Sequence, residues 1–485
     1  MNIAISIQDL IRIIGIFASI YVLKCVYDII YIAYFGPLSK IPGPKVAHLT
    51  KFYIGVKQIS GQRWKWLQNE IMPKYGKIVR VSPDVVVFSD KDIIKQFLVT
   101  NEMPKNKNYE RLRIDEKYST LFTARDKELH KRRRRILSPA FSIKHLSSLE
   151  PFMHTCINDL IAKIDGEICK NGGKAAINIY LLIQYNALDI IGETAFGGSF
   201  KMVTNGNHPM PAKVFGDLRR RVLRSLFPLL KPLLKQDPYL VDFTNKIIKQ
   251  RRQESSQKKD LLQMMLDTKQ HEDGLSDFEI YDQSIEFLIA GSDTTSFTAT
   301  MIMIMLVKHP KVLEKLIKEI DETLVGLGSE EIPSHDKIKH LPYLNGVINE
   351  GLRLFPTSRD FGPGKEATED LVLGGYFIPK GTLVIPNTLE LHTSKEYWGE
   401  NAKEFVPERW LEPEKLTPDC FIPFSAGARN CIGFNFAWME LRLTIATLLH
   451  RYNFKDIENQ EIELLQFITP SLKSKEYNLI ASMRN

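Results

Sequence analysis

The sequence predicts a mainly α fold with small β-sheets, an α+β chain crossed by one long buried helix. Three observations predict it. Ser276-Asp277-Phe278-Glu279 is a capping box, and no proline follows it until Pro310. That run is roughly 32 residues, or ~50 Å of helix. A second amphipathic run, residues 434–449, also reads as a helix. Strand signals are short: Ile78-Val79-Arg80-Val81 and Val85-Val86-Val87-Phe88 flank the turn Ser82-Pro83-Asp84. Further strands are expected over 371–385, around the turn Pro379-Lys380-Gly381.

The chain has 485 residues, 44% hydrophobic and 25% charged, which suits a folded globular protein. Its five cysteines, Cys25, Cys156, Cys169, Cys420 and Cys431, show no C-x-x-C spacing. This argues against a zinc site or a disulfide framework and fits a reducing compartment. The formal charge of +8 can steer the chain toward anionic lipid or an acidic protein. No nucleic-acid motif accompanies it, so nucleic acid is not expected as a partner. The chain contains no internal repeat.

Residues 3–35 are mostly apolar, interrupted by Asp9, Arg12, Lys24 and Asp28. The cleanest apolar run, 13–23, is shorter than the roughly 18–20 residues that span hydrocarbon. Extending it takes in Lys24 and Asp28, four apart on one helix face, where they can pair. No small-residue cleavage site follows. The expectation is a retained membrane anchor over 1–35, weighed against a buried core helix. A proline-rich hinge over 36–45 contains Ile41-Pro42-Gly43-Pro44, and the body runs over 46–485. Lys40, Lys45 and Lys51 place that body on the cytosolic side.

Residues 101–123 are polar and irregular, a loop of the length that lids and binding loops take. The basic run from His130 to Arg135 follows. On a helix His130 and Arg134 share a face and could grip an anion, while Arg132 and Arg133 would offer a basic surface to a partner. A plain solvated charge run is the simpler reading of this stretch alone. Two helices are expected over 150–191, broken at Asn171-Gly172-Gly173, with loops over 198–213 and 249–259.

The long helix is apolar on nearly every face except at Ala290-Gly291-Ser292-Asp293-Thr294-Thr295. Glycine, aspartate and threonine are poor helix formers, and buried polar groups are unfavourable unless partnered. We read the patch as functional, with Asp293 and Thr294 an acid–alcohol pair for proton delivery. Hydroxyls bonding back to the preceding turn could account for Thr298 and Thr300, not for the cluster. Downstream, Glu350 and Arg353 share a helix face, and Arg409 in Pro407-Glu408-Arg409-Trp410 can complete a charged triad.

Phe424-Ser425-Ala426-Gly427-Ala428-Arg429-Asn430-Cys431-Ile432-Gly433 sets one thiol at a helix start, where the dipole favours thiolate. Gly427 and Gly433 would let backbone approach a flat partner, and Arg429 adds a cation for its carboxylates. These features suggest haem held through sulfur; a buried free cysteine is the alternative.

Taken together and in order, these motifs resemble the cytochrome P450 family of haem-thiolate monooxygenases, in its membrane-bound, fungal-like form. The resemblance covers Pro42 to the C-terminus. Phe424 to Gly433 matches F-x-x-G-x-R-x-C-x-G, Ala290 to Thr294 the oxygen-activation motif, and Glu350 to Arg353 the E-x-x-R motif. The resemblance implies haem b between the long helix and the cysteine-loop helix, with Cys431 on the iron. His130, standing where many members carry tryptophan, would contact the haem carboxylates with Arg134 and Arg429. Arg359, Lys365 and His392 are each candidates for one more contact. Phe424, Gly427, Gly433, Ala290 and Gly291 would line the haem, and Glu350, Arg353 and Arg409 form the scaffold triad. The implied reaction inserts one oxygen atom of O2 into a small apolar substrate, in secondary or lipid metabolism. Electrons would come from NADPH through a membrane flavoprotein reductase, with cytochrome b5 as a further donor. The body would sit on the cytosolic face of the endoplasmic reticulum, in contact with membrane lipid. A haem-thiolate isomerase or dehydratase is one rival, against which the intact Asp293-Thr294 pair argues. A haem sensor or carrier is another.

Overall fold

A computed structural model of the chain describes residues 7–113, 118–210, 213–214, 238–253, 260–268, 274–359 and 364–484. Its principal helices are α1 (Ile7–Tyr34), α2 (Lys127–Leu137), α3 (Ile143–Lys170), α4 (Ile179–Ala195), α5 (Asp277–Lys308), α6 (Pro342–Leu354) and α7 (Phe434–Arg451). Four small sheets join them.

Helix α5 is the axis of the core and runs 32 residues without a break. The capping box forms: Ser276 Oγ accepts from the Glu279 N–H at 3.3 Å, and Glu279 Oε2 from the Ser276 N–H at 2.7 Å. Both satisfy N–H groups that a helix start would otherwise leave open. Ile285, Leu288, Ile302 and Ile304 are buried, and α5 packs against α4, α6 and α7, so apolar burial on most faces holds it in place.

The hairpin of Ile78–Ser82 with Val85–Phe88 forms as expected. Val85–Phe88 then pairs in parallel with Leu383–Pro386, Val85 opposite Leu383. Every residue of these two strands is buried, as pairing on both edges and covered faces require. Lys365–Glu366 closes that sheet. The turn at Pro379-Lys380-Gly381 therefore connects two sheets instead of closing one hairpin, because Leu371–Leu373 pairs with Tyr376–Ile378 across Gly374-Gly375. Between α3 and α4 the chain adds a strand, Lys174–Asn178, on one edge of Asn478–Met483; Tyr452–Asp456 takes the other edge.

Within 101–123, Lys107–Leu112 is a 3-10 helix, and residues 114–117 lie outside the described residues. Met202–Asn205 is a helical turn inside the expected loop, of which residues 211–212 lie outside the description. The expected connector 249–259 begins inside the helix Pro238–Gln253, and residues 254–259 lie outside the description.

Helix α1 has 28 residues; its most apolar 18-residue window has mean hydropathy 2.0, and none of that window is buried. Its C-terminal end is fixed to the body. Arg80, fully buried, donates to the carbonyls of Ile32 (3.2 Å), Ala33 (3.3 Å) and Pro83 (2.8 Å). The expected hinge also lies against the body: Leu38 and Ile41 are buried, and Arg80 N donates to Pro42 O at 2.8 Å. Helix α5 also satisfies the length and hydropathy of a membrane span, but 72% of that window is buried, so it is a core helix.

Candidate functional site

The cysteine loop closes on itself, with the Cys431 N–H donating to Phe424 O at 2.9 Å. The Phe424 ring meets Phe434 edge-on at 4.8 Å, fixing the loop to the first turn of α7. Gly427 has φ +74°, and a Cβ there would lie 2.2 Å from Leu98 O. The glycine thus serves a backbone–backbone approach, where the sequence suggested room for a flat ligand. At Gly433 a Cβ would stand 3.8 Å from the Cys431 sulfur, an ordinary contact. Cys431 lies deep in the molecule yet is accessible, as a side chain lining a cleft would be. Burial pushes its thiol up, against a hydrogen bond from the Gly433 backbone and the charge of Arg134. Desolvation thus works against the preference of a helix start for thiolate.

Basic groups of α2 and of the loop itself lie close together. From α2, Arg134 donates to Asn430 O (2.5 Å) and Asn430 Oδ1 (2.7 Å), tying that helix to the residue before Cys431. His130, one turn earlier, is 5% exposed. Burial, then the charges of Lys105, Arg429 and Arg134, bring it down to about 3, so it is a neutral imidazole. Arg429 donates to Glu102 (2.8 Å) and to the carbonyls of Ala124 (2.8 Å) and Arg125 (2.9 Å). Arg133 is buried and pairs with Glu279 at 2.5 Å, joining α2 to the first turn of α5. It is therefore not part of an exposed basic surface, as the sequence had suggested; Lys131 and Arg135 are exposed there.

The three candidates beyond Pro356 separate cleanly. His392 donates through Nδ1 to Arg353 O (3.2 Å) and accepts at Nε2 from the Ile422 N–H (2.9 Å), so both ring nitrogens serve the scaffold. The guanidinium of Arg359 stacks 4.6 Å over Trp64. Lys365, 1% exposed, is depressed to about 8 by burial and then by Arg429, and it belongs with the basic cluster.

The centre of α5 is more open than its flanks. Ala290 is exposed and Gly291, Asp293 and Thr294 are partly exposed, while 295–304 are buried. Gly291 faces α4: a Cβ there would meet Ile191 Cδ1 at 2.9 Å, so its lack of a side chain serves helix packing. Back-bonding of hydroxyls is wider than the sequence implied. Ser292 donates to Leu288 O (2.6 Å), Thr294 to Ala290 O (2.7 Å) and Thr298 to Thr294 O (3.0 Å). Thr300 Oγ1, expected to back-bond, makes no hydrogen bond. Asp293 accepts from Thr469 Oγ1 at 3.1 Å, and burial raises its carboxyl to about 6.

Glu350 holds both arginines. Arg353 donates to it at 2.7 and 2.8 Å, Arg409 at 3.0 Å, and Trp410 Nε1 at 2.9 Å. Glu350 and Arg353 are fully buried, and the remaining Arg353 donors reach the carbonyls of His392 (2.7 Å) and Glu404 (3.0 Å). A buried ion pair is stable only when so fully bonded.

Residues 42–480 match the family model Cytochrome P450. The chain belongs to the cytochrome P450 family. The cytochrome P450 monooxygenase LUC2 of a Fusarium species is 37% identical over 93% of this chain and 90% of that protein. FUS8 of Gibberella fujikuroi is 32% identical over 93% and 89%. The benzoate 4-monooxygenase bphA of Aspergillus niger is 30% identical over 86% and 88%.

A P450 is an iron-haem monooxygenase, and the residues here fit that group. An accessible sulfur sits deep in the protein, and buried basic side chains converge near it in a way two carboxylates would offset. Sequence reasoning missed Lys105, Glu102 and Glu286. Glu286 had a signal, since it lies seven and eight residues before Asp293 and Thr294 on one α5 face. Lys105 and Glu102 sit in irregular chain with no periodicity to mark them.

Proposed function

We propose that this P450 holds haem b through the Cys431 sulfur and inserts one oxygen atom of O2 into a small apolar molecule. The observation that carries this reading is the accessible Cys431 sulfur, buried at depth and tied through Asn430 to Arg134. When bound, the haem supplies oxygen activation, which a thiolate ligand favours by pushing electron density onto the iron. Arg134, His130, Arg429 and Lys365 orient the group by its carboxylates. Glu350, Arg353 and Arg409 keep the cysteine loop rigid, since His392, held by Arg353, anchors Ile422 just before it.

Asp293, with its carboxyl near 6, can hold a proton at neutral pH or release it, as a relay requires. Thr294 passes that proton on when its hydroxyl turns from Ala290 O. The buried stretch 295–304 of α5 limits the entry of bulk water from that side. Helix α1 anchors the chain in the endoplasmic reticulum membrane, with the body cytosolic, and lipid delivers the substrate. Electrons come from NADPH through a flavoprotein reductase, with cytochrome b5 as a further donor, docking near exposed Lys131 and Arg135. Aromatic compounds are the first to screen, given the benzoate named for one relative.

The test uses full-length protein in vesicles with reductase, NADPH and 18O2, screened against small aromatic and aliphatic compounds. One 18O atom in the product is expected. Conversion that proceeds without oxygen would contradict the proposal.

A further inference from the structure

Asp293 is held from outside its own helix. Thr469 Oγ1 donates to its Oδ2 at 3.1 Å, and the Gln184 side chain of α4 hydrogen-bonds to the same carboxyl. Two titratable groups also face it. The Tyr180 phenol of α4 is pushed up to about 12 by burial and then by Asp293, so it keeps its proton. Lys475 acts through its charge, which opposes the rise that burial imposes on the Asp293 carboxyl. Its ammonium donates to Ser471 Oγ at 2.7 Å.

The two hydrogen-bonding partners share one chemical property. A hydroxyl both donates and accepts, and so does a carboxamide. A carboxyl that loses and regains a proton suits such partners, because an ammonium or a backbone N–H can serve only as a donor and favours the ionised form. Thr469 can donate to the carboxylate and, once its hydroxyl turns, accept from the acid.

Thr469 reaches α5 on a short hairpin. Leu464–Gln466 pairs antiparallel with Pro470–Leu472, Gln466 opposite Pro470, which leaves 467–469 as the loop. Gln466 Nε2 ties that loop across itself, donating to Ile468 O at 3.4 Å. The side away from α5 is fixed to the helix Phe52–Ile59 and the turn after it. Gln58 Nε2 donates to Phe467 O at 2.5 Å, and the Gln466 N–H to Gly61 O at 3.0 Å. Gly61 has φ +69°, and a Cβ there would stand 3.3 Å from Leu465 Cβ and from the Phe467 ring. The Thr469 hydroxyl is thus carried to Asp293 by backbone that is itself anchored.

We propose that Thr469 is a positioning residue for proton delivery, holding the Asp293 carboxyl in one orientation through both of its protonation states. This rests on the oxygen-inserting reading of the site. When Asp293 gives up its proton, the Thr469 hydroxyl donates to the carboxylate. When water returns a proton, the hydroxyl turns and accepts from the acid. Without that hydroxyl the carboxyl keeps Gln184 as its hydrogen-bonding partner and turns away from Thr294.

The experiment uses full-length, haem-loaded wild type, Thr469→Val and Thr469→Ser. Valine keeps the shape of threonine without the hydroxyl; serine keeps the hydroxyl without the methyl group. The first readout needs no turnover: the infrared carboxyl band against pH, less the spectrum of the same protein carrying Asp293→Asn. The second is NADPH consumed per O2 in vesicles with reductase and no added substrate. Peroxide takes two electrons and two protons per O2, and water takes four of each. The ratio therefore runs from one toward two as proton delivery improves.

Thr469→Val is expected to titrate about one pH unit above wild type, since the carboxylate loses a donor. Its ratio should fall toward one, and Thr469→Ser should match wild type in both readouts. A role in packing alone predicts the reverse, with valine like wild type and serine impaired. A wild-type titration or a wild-type ratio in Thr469→Val would overturn the proposal. Absence of NADPH-driven oxygen uptake from the wild type would overturn the reaction reading itself, and the infrared titration would still decide whether Thr469 holds Asp293.

Discussion

The Thr294 hydroxyl donates to Ala290 O at 2.7 Å, so any part in proton transfer requires it to rotate off that carbonyl. Thr294→Ala should keep its haem but yield about tenfold less product per oxygen consumed, with peroxide rising, at the low end of acid–base effects. Unchanged coupling would remove Thr294 from the relay. Asp293 makes a separate, thermodynamic prediction. Burial raises its carboxyl from 3.8 to about 6, so the folded chain binds this proton more tightly than the unfolded one. Its stabilising contribution is therefore full below about 4 and lost as pH rises through about 6. Urea unfolding at pH 5 and pH 7 should show a larger loss of stability in wild type than in Asp293→Asn. Glu350→Gln removes the carboxylate charge to which Arg353 and Arg409 are both hydrogen-bonded, and should lower stability by about 3–5 kcal/mol. Chemical denaturation of the haem-loaded protein measures this.

At the scale of elements, what was legible in the sequence had a local cause. The capping box, the apolar run and the stop before Pro310 mark α5 almost to the residue. The Cys431 loop and the Glu350–Arg353 pair also carry their signals within ten residues. What escaped depends on distant chain. Lys174–Asn178 is a weak strand by composition and exists because Asn478–Met483 lies beside it, some 300 residues on. Arg133 reads as surface charge until Glu279 meets it. Arg80 reads as part of a strand, although its guanidinium takes up carbonyls at the end of α1. Arg80→Met should lower stability by about 1–3 kcal/mol, because those carbonyls lose a buried donor. The same variant, bound to vesicles, should be cleaved faster within residues 36–44. Equal cleavage would mean that α1 is not held by this contact.

At the scale of the whole molecule, an exposed apolar helix precedes a body built around α5. Helix α1 contributes Ala33 to the packed interior and little else. Removing residues 1–30 should therefore release the protein from vesicles on flotation without changing its spectrum. The central claim is that Cys431 ligates the haem iron through sulfur, with the rest of the molecule arranged around that bond. The most direct measurement is the carbon monoxide difference spectrum of the reduced protein, wild type against Cys431→Ala. The account predicts the red-shifted thiolate band in the wild type and its loss in the variant. A band that persists in Cys431→Ala would contradict it.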